Sequence, residues 1–229
     1  MRKLILLLTA FASPIIAAPT FGAPAIPITT APYNITAPGK YVLANDITWT
    51  GPNGGAAGIV IYADNVTLDL GGHTVTANQG DGIVVVGNYA RISNGTIIAS
   101  HYGVWIFTGS YNAVSGLTIT VGPGGGVGVT VEGAPYTPGT PNTQYNQVSD
   151  CTIIGVSPTA VYPQQSAGAF QIYLTSNNSI QNCVLEGKFF TTILEDDQDS
   201  SSKKHGGMLI KLSKGSRGKQ KRQKIELLV

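Results

Sequence analysis

Side chains able to do chemistry are sparse in this chain. Only 11% of its 229 residues are charged. From Ile26 to Gly187 the acids are Asp46, Asp64, Asp69, Asp81, Glu132, Asp150 and Glu186, against two bases, Lys40 and Arg91. Cleaving a glycosidic bond takes two carboxylates across it, roughly 5 to 10 Å apart. Calcium-assisted elimination takes several carboxylates and a basic proton acceptor. This stretch has no Asp-Asp pair, which argues against either chemistry. Glu132 and Arg91 are the catalytic candidates, although an exposed lone arginine is usually a solvated surface residue. His73 reads as a packed or turn residue, and His101 stands alone. No His/Cys/acid spacing makes a zinc site, so neither metal nor cofactor is expected. Cys151 and Cys183 are spaced to stack, as a disulfide or as two buried thiols. The remaining chemistry is aromatic: Trp105, Phe107, Tyr136 and Tyr173 could stack on sugar rings beside Glu132.

Two repeated stretches must position these residues. One reads Leu70-Gly-Gly-His-Thr-Val75, Ile92-Ser-Asn-Gly-Thr-Ile97, Val114-Ser-Gly-Leu-Thr-Ile119, Val148-Ser-Asp-Cys-Thr-Ile153 and Ile180-Gln-Asn-Cys-Val-Leu185. The first three copies are 22 residues apart. Fixed-period self-similarity is the signature of a repeat architecture. The other stretch precedes each hexamer: Gly58-Ile-Val-Ile-Tyr62, Gly82-Ile-Val-Val-Val86, Gly103-Val-Trp-Ile-Phe107, Gly128-Val-Thr-Val-Glu132 and Ala169-Phe-Gln-Ile-Tyr173. Its second and fourth positions are apolar throughout, so strand alternation turns them inward. The third and fifth then face out: Val60, Val84, Trp105, Thr130 and Gln171, with Tyr62, Val86, Phe107, Glu132 and Tyr173. The period is too short for a helix-containing repeat and lacks a 3.6-residue rhythm. Short strands coiling on themselves fit it.

The Asp64-Asn-Val-Thr-Leu-Asp-Leu-Gly-Gly-His-Thr-Val75 stretch and the Asn/Asp-Cys-Thr-Ile turns resemble right-handed parallel β-helix proteins. These include the pectate-lyase-like superfamily and periplasmic NosD-like proteins. The resemblance runs from about residue 33 to 187 and implies an all-β, single-stranded parallel β-helix of about five coils. In such coils a recurrent turn residue stacks into a structural ladder, here Asn94, Asp150 and Asn182 in register with Gly72 and Gly116. The fold hosts many functions, and its polygalacturonase-type Asn-x-Asp and Arg-x-Lys motifs are missing between Ile26 and Gly187. The implied function is binding of an extended polymer, a polysaccharide or cell-surface polymer, through Trp105, Phe107, Glu132, Tyr136 and Tyr173. A polysaccharide lyase or glycoside hydrolase is the enzymatic alternative, with calcium needed under the lyase reading alone. A structural, adhesive or NosD-like accessory role is the third.

The ends read differently. Residues 1–25 carry Arg2-Lys3, an apolar run from Leu4 to Ile16 and Ala23-Pro24-Ala25, the pattern of a cleaved export signal. Ala18 marks a second possible cleavage site. Residues 26–57 form an entry segment that caps the first coil, 58–187 the β-helix, and 188–229 a charged, disordered or truncated tail. This tail holds ten basic and five acidic residues, so the overall charge of +2 is no argument for nucleic-acid binding by the repeats. The mature chain has no membrane-spanning segment and is expected as a secreted or periplasmic monomer. The coils interrupted between Glu132 and Tyr145 and between Ser157 and Ala167 place loops over the outer strands, where a site is expected.

Overall fold

The computed structural model describes residues 24–51, 57–121, 126–133, 143–156, 168–173, 175–187, 191–196, 211–214 and 223–228. None of them is helical. Val, Ile and Thr dominate the repeated stretches, and branched side chains fit the pleated surface of a strand. Each stretch forms a strand that pairs in parallel with its counterpart in the next coil, so the two repeats become two sheets.

The second sheet runs Tyr33–Ile35, Ala57–Ile61, Asp81–Val85, Tyr102–Phe107, Val127–Glu132, Gly168–Tyr173 and Thr191–Asp196 in spatial as well as chain order. The first sheet stacks Ile26–Ile28, Gly39–Leu43, Val66–Asp69, Arg91–Ala99, Ala113–Val121, Gln147–Ser149 and Ser179–Gly187, with Ile47–Trp49, Thr74–Ala77 and Thr152–Gly155 alongside. The entry segment is itself in register: Tyr33 faces Ile59, Tyr41 faces Leu68 and Ile47 faces Val75. It is a further coil as well as an entry. From the tail, Thr191–Asp196 extends the second sheet in parallel. Gln223–Leu228 lies antiparallel on Ser179–Gly187 and is followed across the sheet by Lys211–Lys214. An antiparallel last strand interrupts the parallel stacking and covers an edge that would otherwise stay open.

Four inward columns fill the interior. Ile59, Ile83, Val104, Val129 and Phe170 form one, and Ile61, Val85, Ile106, Val131 and Ile172 the next. Opposite them stand Ile92, Val114, Val148 and Ile180, then Val75, Ile97, Ile119, Ile153 and Leu185. None of these side chains is more than 3% exposed. A glycine opens most inward strands because the two sheets meet there. A Cβ on Gly103 would lie 2.4 Å from Ile119 Cγ2 and 2.5 Å from the Gly128 carbonyl oxygen.

The first hexamer does not align as its sequence suggests. Leu68, not Leu70, faces Ile92, while Val75 faces Ile97. Two extra residues are absorbed in the turn, where Gly71 and Gly72 take left-handed backbone with φ of 59° and 77°. Leu70 therefore turns inward. A Cβ on Gly95 would fall 2.3 Å from Leu70 Cβ, so Leu70, not His73, fills the column of Leu117, Cys151 and Cys183. His73 is displaced outward, with Nδ1 3.3 Å from Asp46 Oδ1.

Asn94, Asp150 and Asn182 take left-handed backbone, in register with Gly116. They are exposed, and Asn94 Nδ2 donates to Asp69 Oδ1 at 3.0 Å. A buried amide ladder stands at a different corner. Asn146 N–H donates to Asn178 Oδ1, Asn112 N–H to Asn146 Oδ1, and Ala90 N–H to Asn112 Oδ1, at 2.9, 2.9 and 2.7 Å. Each oxygen takes up a backbone donor that the turn would leave unpaired, while Asn112 Nδ2 is buried with no partner among the described residues. Just before this ladder Tyr89, Tyr111 and Tyr145 share left-handed backbone and stack ring on ring, with centroids 5.1 Å apart in both pairs.

Candidate functional site

Register alone brings four of the expected residues onto neighbouring strands. Trp105 faces Thr130, Phe107 faces Glu132, and Glu132 faces Tyr173 across successive strands of the second sheet. The Trp105 ring packs at 5.0 Å from Phe107 and 5.2 Å from Tyr102, tilted by 53° and 59°. Trp105 Nε1 donates to Glu132 Oε2 at 3.0 Å. This bond crosses from one coil to the next and fixes both an aromatic face and a carboxylate on the outside of the helix. Partial burial pushes the Glu132 carboxyl above its ordinary range, and the Trp105 hydrogen bond offsets part of that rise.

Other expected residues stand apart or outside view. Arg91 is exposed on the first sheet, between Thr67 and Ala113, away from Glu132. The two catalytic candidates do not share a site. Tyr136 and the loops 134–142 and 157–167 lie outside the described residues, and of Tyr173 only the backbone is described. Thr130 points outward by register yet is 1% exposed, and its Oγ1 has no hydrogen-bond partner among the described residues. It sits between Trp105 and Gln171 in its column, so neighbouring side chains close over it.

His101 is not alone. Its Nδ1 lies 2.7 Å from Asp81 Oδ1, and the same oxygen accepts the Tyr102 N–H at 3.1 Å. Asp81 is fully buried and its Oδ2 has no partner among the described residues. The His101 ring packs against Tyr102 at 3.8 Å. Burial, then the Glu132 and Asp81 carboxylates, push the Tyr102 phenol above its ordinary range. A continuous row results: Asp81, His101, Tyr102, Trp105 and Glu132. The signal for it was the coil period, since Asp81 precedes Ile83 as Tyr102 precedes Val104, and Ile83 faces Val104.

Cys151 and Cys183 are free and buried. The hydrogen-bonded contact with Cys183, then burial, holds the Cys151 thiol above its ordinary range. Among the described residues no group of three His, Cys, Asp or Glu side chains could hold a metal ion, and no helix is long and apolar enough to cross a membrane.

The stacked parallel coils define the class, and a family comparison agrees with them. A family model described as a right-handed β-helix region matches residues 39–206. The chain belongs to that family. Comparisons with curated proteins and with solved structures give no match.

Proposed function

We propose that this chain is an exported, monomeric β-helix protein, secreted or periplasmic, that binds an extended polymer on its second sheet. A polysaccharide or a cell-surface polymer fits that face. The carrying observation is the Trp105 ring, held between Tyr102 and Phe107 and pinned by Nε1 to Glu132 Oε2. Tilted aromatic rings offer apolar faces to the C–H side of a sugar, and a neighbouring carboxylate accepts its hydroxyls. Among the described strands of the second sheet there is no Lys or Arg, which disfavours a polyanion as partner. The long strand face suits a chain-like ligand better than a compact one.

The test is affinity electrophoresis of the purified protein against a panel of neutral and acidic polysaccharides. Retardation is expected with at least one neutral polymer. Trp105→Ala should weaken it about tenfold or more, the equivalent of ~1.4 kcal/mol. Unchanged retardation in Trp105→Ala would move binding to another face.

A further inference from the structure

The Asp81–His101 pair is a constellation that polymer binding does not use. His101 Nδ1 is taken by a carboxylate that is itself fully buried and so cannot touch a ligand. The ring is 32% exposed at its side chain, and its Nε2 has no partner among the described residues. An imidazole held through Nδ1 by a buried carboxylate keeps Nε2 as the basic nitrogen. Tyr102 lies against that imidazole at 3.8 Å and leads on to Trp105. It stays a protonated donor at neutral pH, since burial and two carboxylates oppose its ionisation.

Three reactions could use such a pair on a sugar polymer. Glycosidic hydrolysis needs two carboxylates reaching the bond; with Asp81 buried, Glu132 alone remains. Elimination from a uronate needs a cation to offset the sugar carboxylate. The described second sheet supplies none. Activation of water by a neutral histidine needs neither. We propose that the Asp81–His101–Tyr102 row hydrolyses O-acyl esters on the neutral polysaccharide held by the Trp105 face. This rests on the binding reading above.

In the step, the water oxygen attacks the acyl carbon while His101 Nε2 takes one water proton. The Tyr102 hydroxyl donates to the oxyanion of the tetrahedral intermediate. Collapse breaks the bond between the acyl carbon and the sugar oxygen, and the imidazolium returns its proton to that oxygen. A carboxylic acid and a free sugar hydroxyl leave, with no redox change. His101 and Tyr102 touch the reacting atoms. Asp81 is a positioning residue.

The experiment incubates the full chain with acetylated xylan and measures released acetate. Retardation in xylan gels is measured in parallel. Wild type should release acetate well above the rate in a protein-free control. His101→Ala should lower the rate by about 10²–10⁴-fold, the usual scale of a general base, with xylan retardation unchanged. Tyr102→Phe should lower kcat more than it changes KM. Asp81→Asn should shift the pH profile as well as the rate, an effect that a purely structural tie between coils does not predict. Thermal melts of each variant identify those that are folded. No acetate release by wild type, or equal release by a folded His101→Ala, overturns the proposal. If retardation is still sensitive to Trp105 in that case, the binding reading stands. Loss of retardation sensitivity with acetate release intact sinks the binding reading instead.

Discussion

Glu132 holds its charge where the surroundings resist it, and this gives stability a pH signature. Its carboxyl is raised above the ordinary range chiefly by burial. The folded state therefore binds its proton more tightly than the unfolded state does. Stability from this group is highest below the unfolded value, near ~4.3, and falls as pH rises through the folded value. Glu132→Gln removes that loss while keeping an oxygen for Trp105 Nε1. Urea unfolding midpoints for the two proteins should be close at pH 4, with the variant gaining on wild type by pH 7. A constant gap across that range would contradict the burial argument. Tyr111 allows a second test. Its φ of 61° costs an L-residue roughly 1–2 kcal/mol, less for Asn, and each stacked pair returns about 0.5–1.5 kcal/mol. Tyr111→Ala loses both stacks and keeps the strained backbone; Tyr111→Asn loses the stacks but suits the backbone. Urea denaturation should rank wild type above Asn and Asn above Ala, with the last step about 1 kcal/mol. Equal stability of the two variants would remove backbone strain from the account.

At the scale of the strand, the glycine that opens most inward stretches is a spacing device. Gly82, Gly103 and Gly128 each leave space that an isoleucine of the facing sheet fills. Gly103→Ala should cost about 1–3 kcal/mol by overpacking, read as a lower urea midpoint with an unchanged slope. No measurable loss would mean that both Ile119 and the Gly128 carbonyl can move aside. These strands were legible in sequence because alternation and period act on every coil at once. Ile83, Val104 and Val129 show the pattern without any knowledge of tertiary structure. The place of Leu70 is hidden because two extra turn residues shift register without changing the hexamer's apolar ends. Trp105 and Glu132 were placed on one face by strand alternation. The bond between them, and Tyr102 beside them, depend on side-chain geometry that no spacing encodes. The Asp81–His101 pair is hidden for a different reason: Asp81 opens a strand and His101 lies in the turn before the next, both outside the compared stretches. The tyrosine stack was available, since Tyr89, Tyr111 and Tyr145 follow the 22- and 34-residue spacing of Ile92, Val114 and Val148, shifted to the preceding turn.

Across the whole molecule, each coil touches its neighbours and little else, so stability adds along one axis. A central coil is held from both sides, whereas an end coil is held from one. Ile97 has Val75 before it and Ile119 after it. Ile47 lies near the start, on a strand that pairs with Thr74–Ala77 alone among the described strands. Both are buried isoleucines with at most 3% exposure, so burial by itself does not separate their substitutions. Each change to alanine should cost about 2–5 kcal/mol where the surroundings cannot relax. Stacking separates them. Ile97→Ala weakens two interfaces and should lower the global unfolding free energy by an amount within that range. Ile47→Ala should act mainly through local opening of the first coil. Native-state hydrogen exchange distinguishes the two. In wild type, amides of Arg91–Ala99 and Ala113–Val121 should exchange most slowly, with protection declining toward Gly39–Leu43. Ile47→Ala should speed exchange in Gly39–Leu43 and Ile47–Trp49 and leave Ala113–Val121 near wild type. Ile97→Ala should speed exchange throughout. Uniform acceleration by both variants would show that the coils unfold as one unit, and the axis of nearest-neighbour stability would have to be abandoned.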